Sequence, residues 1–152
     1  MICRADQPDA QTEIEMDERP VRVLIADGNT ASRKGLRALL ALRPEIAIAG
    51  EPDEGREAVR LAAEQRPDVV VIDAQMPGID GIEAVRRIKA CTPQTRVVVV
   101  AMYAAYRAKA AAAGADAFVR KTDPPERLIA AILRTRFGLD SSFCFSVGGH
   151  HL

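Results

Sequence analysis

Three side chains in this sequence stand where chemistry is easiest to build. Asp27, Asp73 and Lys121 each fall at, or one residue past, the carboxyl end of a short β-rich apolar run. In an open parallel sheet those ends converge on one edge, so two carboxylates and an ammonium are expected in one place despite their separation in sequence. The carboxylates repel each other, and Lys121 or a divalent cation relieves that repulsion. An oxygen donor set of carboxylates and carbonyls suits Mg²⁺ rather than zinc. A carboxylate beside such positive charge is equipped to attack phosphorus, because the cations neutralise charge on the transferring group. A lone strand-end aspartate more commonly caps a turn or helix. Three matching strand ends together favour the site.

The elements that must carry these groups follow from periodicity. Five apolar runs read as strands: Val21–Ala26, Ile46–Gly50, Val69–Asp73, Val97–Ala101 and Ala117–Arg120. Between and after them lie segments with helical spacing, about 30–42, 53–65, 80–90, 104–113 and 125–136. In the first of these, Leu36, Leu39 and Leu40 share one face, with Arg33, Lys34 and Arg37 outward. Pro44, Pro67 and Pro93 follow helices, Pro124-Pro125 opens the last, and Gly114 stands at a left-handed C-cap position. Runs such as VVVID and VVVVA, apolar on both faces, imply a parallel sheet covered on both sides. The expected fold class is α/β: a doubly wound (βα)5 parallel sheet of five strands, order 2-1-3-4-5, in a flavodoxin-like three-layer αβα sandwich.

Composition sets the outer bounds. The chain of 152 residues is 48% hydrophobic, enough for one core, yet only 4% aromatic with no Trp, so the core must be aliphatic. Lys+Arg and Asp+Glu are both 21, and this balance argues against nucleic-acid or anionic-membrane binding by bulk charge. Cys3, Cys91 and Cys144 form an odd, scattered set, as expected of reduced thiols in a cytoplasmic protein. No apolar run is long enough for a signal peptide or a membrane span. The domain division expected is a polar, flexible lead over residues 1–20, one domain over 21–136, and a short tail over 137–152.

The segment PDVVVIDAQMPGIDGIEAVRRIK (Pro67–Lys89), with its D-x-x-M-P-G-x-D-G string at Asp73–Gly81, resembles the phosphoacceptor region of response-regulator receiver domains. VRVLIADGNTASRKGLRALL (Val21–Leu40) resembles their first strand and helix, and AGADAFVRKTDPPERLIAAI (Ala113–Ile132) their last. The wording is nearest to the receivers of LuxR-type regulators. This resemblance implies a two-component signalling module rather than an enzyme, in which Asp73 accepts phosphate from a histidine kinase or phosphotransfer protein. Lys121 would pair with the phosphoryl group, and Asp27, Asp73 and the Gln75 carbonyl would hold Mg²⁺. Phe118 falls where the family has a switching aromatic, although an aromatic on the last strand also packs as plain core. Gly81 is expected in a tight spot at the start of the third helix.

Two departures make the site atypical. The family's acidic pair after the first strand reads Asp27-Gly28 here, so one direct metal ligand is missing and Mg²⁺ should bind weakly. Asn29 is next along but wrongly spaced, and Glu51, after the second strand, could approach the first from the side but reads more simply as a surface loop acid. The family's Ser/Thr at the end of the fourth strand is Ala101, which offers no hydroxyl to the phosphoryl oxygen. Met102 follows, with bulk that could hinder water. Two readings stay open: a receiver that is still phosphorylated, or a phosphorylation-independent pseudo-receiver acting as an interaction module. A helix-turn-helix output domain needs roughly 60 residues with a core of its own, so a stand-alone receiver without direct nucleic-acid binding is expected. A homodimer is expected through the fourth helix, fifth strand and fifth helix, with helix 1 facing the kinase. Phe143, Phe145, His150 and His151 in the tail carry no assigned role.

Overall fold

The computed structural model describes residues 19–137. The lead over 1–20 and the tail over 137–152, with their cysteines, phenylalanines and histidines, fall almost wholly outside the described residues. Within it, strands and helices alternate strictly: β1 (Val21–Ala26), α1 (Thr30–Ala41), β2 (Ile46–Gly50), α2 (Gly55–Gln65), β3 (Val69–Asp73), α3 (Gly81–Cys91), β4 (Arg96–Ala101), α4 (Tyr106–Ala113), β5 (Ala117–Arg120) and α5 (Pro125–Phe137). The strands form one parallel sheet in the order β2-β1-β3-β4-β5, as expected.

Side chains alternate across this sheet, and both faces are dry. Leu24, Val70, Ile72, Val97 and Val99 meet Ala58 and Ala62 of α2, Ala84, Val85 and Ile88 of α3, and Ala110 and Ala113 of α4. Val23, Ile25, Val69, Val71, Val98 and Val100 meet Leu40 of α1 and Leu128, Ala131, Ile132 and Leu133 of α5. The helical alanines explain how a core almost without aromatics stays filled: small residues let α2, α3 and α4 sit close to a layer of branched strand side chains. Each fully buried Val, Leu or Ile contributes about 1.5–3 kcal/mol of apolar burial.

Three helices begin later than their sequence pattern suggests, since the pattern runs through the capping residues. Asp80 precedes α3 as its N-cap, its side chain accepting from the Glu83 amide at 2.9 Å. Glu54 holds the same place before α2. Tyr103–Ala105 form a turn before α4, which starts at Tyr106 rather than at 104. Helix α1 stops at Ala41, with Leu42 as its C-cap. Gly114 closes α4 in the left-handed region at φ 104°. Arg33, expected to face outward, folds back instead, its guanidinium donating to the Asp27 carbonyl at 2.6 Å.

The amino edge of the sheet is stapled by charged and hydroxyl groups. Lys89 Nζ donates to Pro93 O, Thr95 O and Asp116 Oδ2 at 2.8–3.0 Å. The same Asp116 oxygen accepts from the Val97 amide, and Thr95 Oγ1 donates to Pro67 O. Asp68 Oδ2 accepts from the Arg22 amide, while the Arg22 guanidinium donates to Gln65 O and Arg66 O at the end of α2.

Candidate functional site

At the opposite, carboxyl edge the topology assembles the residues that sequence singled out. Asp27 leaves β1 and is 1% exposed. Its Oδ1 accepts from the Asn29 amide at 2.9 Å and its Oδ2 from the Ser32 hydroxyl at 2.6 Å. Asp73, the last residue of β3, is 9% exposed and repeats the local turn, its Oδ1 accepting from the Gln75 amide at 2.9 Å. Lys121, just past β5, donates from Nζ to Asp73 Oδ2 at 2.6 Å and stands 3.6 Å from Asp27 Oδ2. Burial opposes the charge on Lys121, yet the hydrogen bond to Asp73 and the negative charge of Asp73 and Asp27 outweigh it. Its pKa is raised above the ordinary 10.5, and the ammonium stays charged.

Two glycines allow the loops to close around this cluster. A Cβ on Gly81 would run into the Asp73 carbonyl, so only glycine lets α3 start directly beneath the acceptor loop. A Cβ on Gly28 would lie 2.5 Å from Pro77 Cδ and 3.0 Å from Pro77 Cγ. The space in which a second acid would start is filled by the ring that follows β3. Pro77 also accepts the Gly55 amide at 3.4 Å, and Asp27 N donates to Pro52 O at 3.2 Å, so three loops knit together here.

The other expected residues lie nearby with different surroundings. Ala101 is buried in the same core cluster as Phe118, which is 3% exposed. The Arg107 guanidinium covers the Phe118 ring at 4.7 Å from its centroid, within cation–π range. Burial lowers the Arg107 pKa, with Asp123 partly offsetting it. Met102, beside Ala101, is 47% exposed. Asn29 caps α1, accepting from the Ser32 amide at 2.8 Å, and Glu51 pairs with Arg37 at 2.7 Å. Neither replaces the missing acid.

Residues 23–133 match the family model of the response regulator receiver domain. The chain belongs to that family. Among curated relatives of this receiver is the uncharacterized transcriptional regulatory protein YhcZ of Bacillus subtilis (strain 168), 36% identical over 111 residues, covering 72% of this chain and 52% of the relative. Another is the nitrate/nitrite response regulator protein NarL of Escherichia coli (strain K12), 28% identical over 124 residues, covering 80% and 57%. The receiver thus spans about half the length of the curated relatives it matches. Among solved structures, a LuxR-family two-component response regulator from Aurantimonas sp. SI85-9A1 superposes with a TM-score of 0.75 at 31% identity, covering 86% of this chain and 98% of that one. The signal receiver domain of the putative response regulator NarL from Mycobacterium tuberculosis gives 0.74 at 28%, covering 80% and 99%.

Receiver domains are generally non-enzymatic signalling modules of two-component systems that interact with histidine kinases or phosphotransfer proteins and bind Mg²⁺. In this receiver the donors for such an ion fit in kind: Asp27, Asp73 and the Gln75 carbonyl are all oxygen ligands. They are few, and among the described residues no group of three or more acidic, histidine or cysteine side chains is placed to hold a metal. No helix among the described residues is long and apolar enough to cross a membrane.

Sequence reasoning, which expected Pro77-Gly78 only as the turn after the acceptor, missed Ser32 and the packing of Pro77 on Gly28. Ser32 had a signal: with Asn29 as N-cap it is the third helical residue, whose side chain reaches back over the cap as in a capping box. Pro77 against Gly28 had none, since the contact joins two loops far apart in the chain.

Proposed function

We propose that this receiver accepts a phosphoryl group on Asp73 from the phosphohistidine of a histidine kinase or phosphotransfer protein in the cytoplasm. Output then passes through protein contacts, with no direct nucleic-acid binding by the receiver unit. The observation that carries this reading is the direct 2.6 Å bond between Lys121 and the Asp73 carboxylate at the sheet edge. In the transfer, an Asp73 oxygen forms a bond to phosphorus while the phosphorus–nitrogen bond of the donor breaks, and the imidazole nitrogen keeps the electron pair. The new group brings about two negative charges next to Asp27, and Lys121 is the ammonium placed to meet them. Mg²⁺ held by Asp27, Asp73 and the Gln75 carbonyl would supply further positive charge to the phosphoryl oxygens. With position 28 lacking a carboxylate, that ion is bound weakly.

Ala101 and Phe118 support altered switching. With no hydroxyl on β4 and the aromatic already buried beneath Arg107, the phosphoryl group has one link fewer to α4. That same observation favours a second reading, a pseudo-receiver whose surface binds partners whatever the state of Asp73. Incubation with acetyl phosphate and Mg²⁺, followed by intact mass, separates the two. One phosphate gained, and lost in D73N, supports the first reading; no gain at high Mg²⁺ supports the second.

The dimer face belongs to this proposal as well. Helix α4 offers Lys109 and small alanines beside β5 and α5, a surface suited to close helix approach. Because Arg107 packs on Phe118, R107E would disturb the core as well as the surface. Lys109→Glu is the cleaner probe in sedimentation, and self-association unchanged by it would remove the dimer from this reading.

A further inference from the structure

The geometry assigns Ser32 as the positioning residue that directs the Lys121 ammonium to Asp73 rather than to Asp27. This inference rests on the receiver reading for its functional meaning, but its structural content is separate.

Ser32 is fixed by two bonds to its own loop: its amide donates to Asn29 Oδ1 at 2.8 Å, and its hydroxyl donates to Asp27 Oδ2 at 2.6 Å. A hydroxyl has one proton, so once it is spent on Asp27 the oxygen can face Lys121 only as an acceptor. It does so, with Lys121 Nζ donating to Ser32 Oγ at 3.3 Å. The hydroxyl thus stands between the lysine and the first acid. Lys121 remains 3.6 Å from Asp27 Oδ2, beyond hydrogen-bond length, and gives its short bond to Asp73.

Removal of the hydroxyl changes the balance. Asp27 Oδ2 would lose its proton donor at a buried position, and a buried charged acceptor left unsatisfied is costly. The nearest donor is the Lys121 ammonium, 3.6 Å away, whose flexible stem needs to move by about 0.7–0.9 Å to bond Asp27 at ordinary charge-assisted length. Asp73 would then share or lose its partner. Threonine keeps the hydroxyl, and Ser32 borders an open pocket of about 230 Å³ between α1 and α5, with Leu36 and Leu128.

The test uses the full chain as wild type, S32A, S32T and D73N, with acetyl phosphate and Mg²⁺ followed by intact mass. The expected result is phosphorylation about tenfold slower in S32A, the weight of one hydrogen bond to a charged group, and within about twofold of wild type in S32T. In parallel, the NMR signal of the Lys121 ammonium is followed in the unphosphorylated proteins. It should respond to D73N in the wild-type background and lose that response in the S32A background. S32A phosphorylated at the wild-type rate with an unchanged Lys121 signal overturns the assignment, as does S32T as slow as S32A. If the wild type takes up no phosphate, the phosphoacceptor reading fails and the Lys121 signal alone decides the role of Ser32: loss of its response to D73N supports it, and retention overturns it.

Discussion

Restoring the missing acid with Gly28→Asp puts the account of this site under direct strain. The new Cβ would lie 2.5 Å from Pro77 Cδ, where ordinary carbon contacts need about 3.5–4.0 Å, so the ring must retreat by roughly 1 Å. Pro77 is not free to do so, since its carbonyl also accepts the Gly55 amide. Overpacking of this kind costs about 1–3 kcal/mol. The substitution also sets a third carboxylate beside Asp27 and Asp73, with Lys121 the only ammonium bonded there among the described residues, which adds to the cost when metal is absent. With Mg²⁺ the sign turns, because a third acidic ligand raises affinity for a hard cation. At a hundredfold excess over Kd, the ion returns about 2.7 kcal/mol. Urea denaturation with and without Mg²⁺ reads both parts. The variant should be less stable than wild type in EDTA and approach it in Mg²⁺, and G28D/P77A should recover the steric share alone. A G28D protein as stable as wild type in EDTA would refute the packing argument. One indifferent to Mg²⁺ would refute the ligand argument.

Other expectations follow from single contacts. Lys121→Met should destabilise the protein at neutral pH by about 1–2 kcal/mol, discounted for the partial exposure of the pair. Because the folded pKa of Lys121 is raised, its contribution is fully present below the unfolded value of 10.5 and is lost as pH rises through the higher folded value. The gap between wild type and variant in denaturant midpoints should therefore narrow only in strongly alkaline buffer. Lys89→Met removes three hydrogen bonds of one ammonium and strands part of Asp116, for an expected loss of about 2–3 kcal/mol in urea unfolding. Gly35 lies inside α1, and a Cβ there would meet nothing within 4 Å, so Gly35→Ala should raise stability by about 0.5–1 kcal/mol in the same assay.

The fold was legible in the sequence because each level of pattern agreed. VVVID and VVVVA declare strands buried on both faces, the leucines of α1 declare a helix, and Gly114 and Pro125 mark helix ends where the structure has them. The meeting of Asp27, Asp73 and Lys121 was legible for a topological reason: parallel order alone brings strand ends together. What stayed hidden depends on side chains crossing between loops. Pro77 filling the space above Gly28 and Arg107 lying over Phe118 join residues with no common period. Ser32 was half visible, because its place relative to the cap fixes its direction but not its second partner, Lys121.

The staples at the amino edge bear on how such a domain can change over time. Lys89, Asp116, Thr95, Asp68 and Arg22 tie the strands together at the end of the molecule away from Asp73. A substitution at the carboxyl edge, even one that costs a few kcal/mol locally, therefore leaves these amino-edge ties in place. Changes at positions 28 and 101 thus fall on the edge that carries the chemistry, at the far end of the sheet from the ties that hold its strands. The end of the molecule that would receive a phosphoryl group and the end that holds the strands in register are thereby separate parts of one sheet.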